Sequence, residues 1–101
     1  MLLFTRHTGQ RAVIVCPGGE QIWLTMRDGY IDCERNGIID VATEHDAVYY
    51  DFPDHVIVEI AFSYAQPWHT KQGNRIGISA PMDFVADREE VYKRKMNGVK
   101  A

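Results

Sequence analysis

The residues with chemical potential in this chain are scattered, and their spacing limits what they can do. Four histidines and two cysteines (His7, His45, His55, His69, Cys16, Cys33) raise the question of a metal. No pair of them has zinc-ligand spacing, and sixteen residues separate the two cysteines. Asp40, Glu44, Asp46, Asp51 and Asp54 do not follow the calcium-loop pattern and read as a solvated acidic face. There is no nucleophile–base motif and no glycine-rich phosphate loop, so neither an enzyme nor a cofactor is expected. The arginines are more informative. Arg6 follows an apolar, aromatic run, Arg75 opens Ile76-Gly77-Ile78-Ser79-Ala80-Pro81, and Arg88 follows Phe84-Val85-Ala86-Asp87. A planar five-donor guanidinium suits phosphates and base edges.

The elements that hold these arginines read mostly as strands. Arg75, Gly77 and Ser79 alternate with Ile76 and Ile78, the period of a strand with one buried face. Pro81 lacks a backbone donor and should end that ladder. A second strand is expected over Met82–Ala86, with Phe84, Ala86 and Arg88 on one side. Asp87 and Glu90 fit a helix N-cap and its capping-box partner. Glu89–Lys93 and Glu90–Arg94 are spaced to pair along that helix, and Gly98 reads as its stop.

Earlier in the chain, Leu2–Arg6 and Arg11–Val15 read as strands around a Thr8-Gly9-Gln10 turn, and Pro17-Gly18-Gly19 breaks the ladder. Ile22–Met26, Tyr30–Cys33 and Ile38–Val41 form a three-stranded meander joined by Asp28-Gly29 and Asn36-Gly37, signals for turns with positive φ at both positions. A short strand over Ala47–Phe52 ends at Pro53. In the strand at 55–62, Val56, Val58, Ile60 and Phe62 share a face. Tyr64–Gly73 is expected to be a loop with a Lys71-Gln72-Gly73 tip.

Bulk properties bound the class. At 101 residues the chain is one small domain, so completion of its core by a second copy is expected. No apolar run approaches the length of a membrane span, the N-terminus does not read as a signal peptide, and two cysteines make no disulfide framework, so a reducing cytoplasm is expected. The net charge of −3 is unevenly spread. Residues 16–54 hold nine acids and two bases, a charge of −7, while the remaining five acids and nine bases give +4. The chain reads as a mildly basic framework carrying an acidic insertion.

Arg75–Pro81 and Arg88-Glu89-Glu90-Val91-Tyr92, together with the opening Met1-Leu2-Leu3-Phe4-Thr5-Arg6 and Gly9, resemble the carbon storage regulator family (CsrA/RsmA), small bacterial RNA-binding translational regulators. With the strand at 55–62 the resemblance spans more than half of the chain; residues from about 16 to 54 fall outside it. It implies a small antiparallel β-sheet protein with a short C-terminal helix, built as an intertwined homodimer with strands exchanged between protomers. It also implies recognition of GGA, often in a hairpin loop of an mRNA leader, and control of translation or mRNA stability. The implied RNA-binding residues are Phe4, Thr5, Arg6, His7, Arg75, Ala80, Pro81, Phe84, Ala86 and Arg88, with Arg6 and Arg88 exposed. The meander would be a self-contained appendage and a possible dock for a protein partner. The alternative is a dimeric interaction module or antagonist on the same scaffold, in which acids of the insertion cover Arg6 and Arg88.

Overall fold

The computed structural model describes residues 2–65 and 73–99. These residues form strands β1 (Leu2–Arg6), β2 (Arg11–Val15), β3 (Gln21–Met26), β4 (Tyr30–Arg35), β5 (Ile38–Thr43), β6 (Val48–Phe52), β7 (Val56–Ser63), β8 (Asn74–Ser79) and β9 (Val85–Arg88), followed by helix α1 (Glu89–Val99). A 3-10 turn, Pro53–His55, joins β6 to β7. The strands make two antiparallel sheets, β1-β8-β7-β6 and β5-β4-β3-β2-β9. The mainly β character and the C-terminal helix agree with the sequence. Most of the loop expected at Tyr64–Gly73, with Pro67, Trp68, His69 and Lys71, lies outside the described residues.

Alternation along the strands builds the core. Ile22, Leu24 and Met26 of β3 and Ile31 and Cys33 of β4 join one apolar cluster with Val58, Ile60 and Phe62 of β7 and Ile76 and Ile78 of β8. Each fully buried aliphatic side chain contributes about 1.5–3 kcal/mol. Strand β2 is enclosed on both faces. Ala12 and Ile14 belong to the cluster, whereas Val13, equally inaccessible, lies on the opposite face beneath α1.

Three expectations change here. The meander is not an appendage: β3 pairs with β2, and its inner face supplies much of the core. The short strand expected over Ala47–Phe52 is present as β6, and it pairs with β7 in the other sheet. Asp87 is not a helix cap. It lies in β9 opposite Val13, and its carboxylate accepts a hydrogen bond from Lys95 at 2.9 Å. Gly98 does not stop α1, which runs to Val99. The turn signals divide. Asn36 and Gly37 have φ of 54° and 79°, as a mirror-image turn requires, but at Asp28-Gly29 only the glycine is positive, at 89°.

Candidate nucleic-acid interface

The two stretches that carry the resemblance meet within one chain. Strand β1 pairs with β8 from Leu2↔Ile78 to Arg6↔Asn74, and β9 pairs with β2 from Ala12↔Arg88 to Val15↔Val85. The family resemblance implies sharing of the first and last strands between protomers; here both sets of pairings close inside a single chain. Among the described residues, β1 and β9 are the outer strands of their sheets, so each keeps one edge free of ladder bonds.

A seam runs between these two strands. At one end a cleft of about 340 Å³ is lined by Leu2, Ile78, Ala80, Pro81, Met82, Phe84 and Ala86. At the other a cleft of about 380 Å³ is lined by Thr5, Arg6, His7, Gln10 and Arg88. Eight of the ten expected site residues therefore line the seam. The other two lie beside it: Phe4 packs against the core, and Arg75 sits opposite Thr5 in the register of β1 and β8. Phe84 lines the apolar end, but its ring is mostly buried and meets Phe52 edge-on at 5.0 Å.

Arg6 is not the exposed arginine expected from sequence. It is 5% exposed and donates from both terminal nitrogens to Glu90, at 2.9 and 2.8 Å, and from Nη1 to the Arg11 carbonyl at 3.0 Å. The Arg6 guanidinium holds the Glu90 carboxyl down to about 2, with the nearby Arg88 charge adding to the effect. Next to this pair, Arg11 binds Glu89 and stacks 4.4 Å from the Trp23 ring centroid. Tyr92 meets Trp23 edge-on at 5.7 Å, and Gln21 donates to the Tyr92 hydroxyl at 2.5 Å. Arg6 thus anchors α1 to the sheets, while Arg88 and His7 remain exposed.

Sequence reasoning missed several residues here. Glu89 and Glu90 read as dipole-matched first-turn acids, but they clasp Arg11 and Arg6. Glu89 also reaches Lys93 at 3.7 Å, the spacing expected along the helix. Gln10, assigned to a turn, accepts the His7 backbone N–H at 2.8 Å and shapes the polar cleft. Gly73, with φ of 85°, lies against the Arg6–His7 backbone, and a Cβ there would strike the Arg6 carbonyl oxygen. A glycine at the end of a loop was the one visible signal for it.

Acids of the insertion do not cover Arg6, whose partner is helical Glu90. Glu20 binds Arg35 and Asp32 binds Arg27, both within the insertion. Cys16 and Cys33 are buried and free of disulfides; burial, helped by Asp40 and Asp32, pushes the Cys33 thiol up to about 12. Among the described residues no group of three or more His, Cys, Asp or Glu side chains is placed to hold a metal, and no helix is long and apolar enough to cross a membrane. Comparison with protein-family models, curated proteins and solved structures returns no match.

Proposed function

We propose that the chain is an RNA-binding post-transcriptional regulator that takes GGA-containing single-stranded or hairpin-loop RNA along the seam between β1 and β9. The observation that carries this reading is the juxtaposition of the two motif-bearing strands, which places Thr5, Arg6, His7 and Arg88 around one cleft. Free strand edges offer backbone donors and acceptors to the edges of unstacked bases. Arg88 is the exposed cation for phosphate, and the apolar end around Ala80, Pro81 and Ala86 offers contact area to a base. Arg6 orders the cleft by holding α1. A homodimer with exchanged strands would reuse the β1–β8 and β2–β9 pairings between two chains and display two copies of the same seam. Light scattering distinguishes this swapped form from the closed chain.

The test is titration of an RNA hairpin with GGA in its loop, against the same hairpin with the loop scrambled. Preference for GGA that weakens in Arg88→Ala supports the proposal. Equal binding of the two hairpins, or no binding at low salt, overturns it.

A further inference from the structure

Strand β5 breaks the alternation that governs the rest of its sheet. Ala42 is inaccessible and shares a face with Ile38 and Asp40, yet residues 38 to 41 are exposed in succession. Ile38, Ile39 and Val41 are 66%, 56% and 47% exposed. The first part of β5 therefore overhangs the core, with both faces open to solvent. Among the described residues its one ladder is with β4; on the other side the Thr43 N–H donates to the Asp46 carbonyl at 2.9 Å and residues 47–49 flank Asp40 and Val41, so the edge is most open from Ile38 to Val41. Two of the other outer strands carry charges or a proline that discourage pairing: β6 holds Asp51 before Pro53, and β9 holds Asp87 and Arg88. Strand β5 has Asp40 alone.

The charge around this edge selects its occupant. Asp40 lies within the strand, Glu34 stands opposite Ile39 on β4, and Glu44 and Asp46 follow directly. The surrounding segment, residues 16–54, has a net charge of −7. A second copy would bring that same charge against itself. Glu34 shares the outer face with Ile39 and Val41, whereas Ile38 shares the inner face with Asp40, so an extended segment that alternates basic and apolar residues matches the edge when its basic residues fall on the outer face.

We propose that the free edge of β5 receives a basic, extended segment of a protein partner, added as a further strand of the five-stranded sheet. This site lies on the far outer strand from β9, at the opposite end of the sheet order, and does not depend on the RNA reading.

The full chain, labelled for amide NMR, is titrated with a blocked peptide of alternating Lys and Val, matched in length to the 6 residues of β5. A peptide of alternating Glu and Val is the control. The Lys peptide should shift the amides of residues 38–43, leave β1 and β9 unmoved, and bind roughly tenfold more tightly than the Glu peptide at low salt, with the gap narrowing as salt rises. The double variant Ile39→Lys, Val41→Lys should lose binding while the β8 amides keep their positions. Equal binding of the two peptides, or no shift at 38–43, overturns the proposal. Shifts at 38–43 on concentrating the protein alone also overturn it, by assigning the edge to a second copy.

Discussion

At the scale of single residues, the pair Arg6–Glu90 separates the arginines of the two motifs. Arg6 is buried and ion-paired, whereas Arg88 is exposed and, on the proposed function, is the one that meets RNA. Arg6→Ala should therefore lower stability by about 1–3 kcal/mol, since it removes a buried cation that makes several hydrogen bonds. Arg88→Ala should leave the unfolding transition unchanged and weaken GGA-RNA binding by about 1–3 kcal/mol. Denaturant unfolding beside RNA titration of both variants checks this division; equal unfolding midpoints for Arg6→Ala and wild type would contradict it. Glu90 adds a pH signature. Its folded pKa of about 2 lies below its ordinary value of 4.5, so the ionised form is favoured by folding. That contribution is present above pH 4.5 and fades as pH falls toward 2. Glu90→Gln should be less stable at neutral pH and lose less stability across that acid window, as measured by denaturant midpoints at successive pH values.

At the scale of elements, α1 is held by side chains whose roles the sequence concealed. Alternation made β3, β4, β7 and β8 legible, because one buried face imposes a period of two on the chain. The helix was legible from its acids and its i,i+4 spacings. Its docking was not, because Glu90 looks the same whether it serves the helix dipole or reaches Arg6 across 84 positions. The same limit applies to the meander. Its turns were visible, but whether its apolar face meets another sheet depends on distant strands. Tyr92 tests the docking directly. Tyr92→Ala removes the edge contact with Trp23 and the bond from Gln21, and should cost about 1–2 kcal/mol. The amide signals of Val13 and Trp23 should move, while those of β7 stay in place; unmoved Val13 and Trp23 amides would contradict the docking.

At the scale of the whole molecule, the acidic segment is both part of the core and a source of charge. Replacing residues 17–53 by a short turn would remove Ile22, Leu24, Met26, Ile31, Cys33 and Tyr50 from the shared cluster. That variant should fail to show a cooperative unfolding transition by circular dichroism; a cooperative transition would restore the picture of an appendage. The electrostatic role of the segment is then tested without deletion. Exposed acids Asp40, Glu44 and Asp46 can be neutralised together as Asp40→Asn, Glu44→Gln, Asp46→Asn. We expect tighter RNA binding at low salt, with the gain shrinking once the screening length falls to about 8 Å at physiological salt. The central claim is that one chain brings its first and last strands together as an RNA-binding seam. Its most direct test is amide mapping of the full chain with a GGA-loop hairpin. The account predicts shifts at Thr5 to Gln10 and at Ala86 to Arg88, absent with the scrambled loop. Shifts confined to other strands, or the same shifts with both loops, would contradict it.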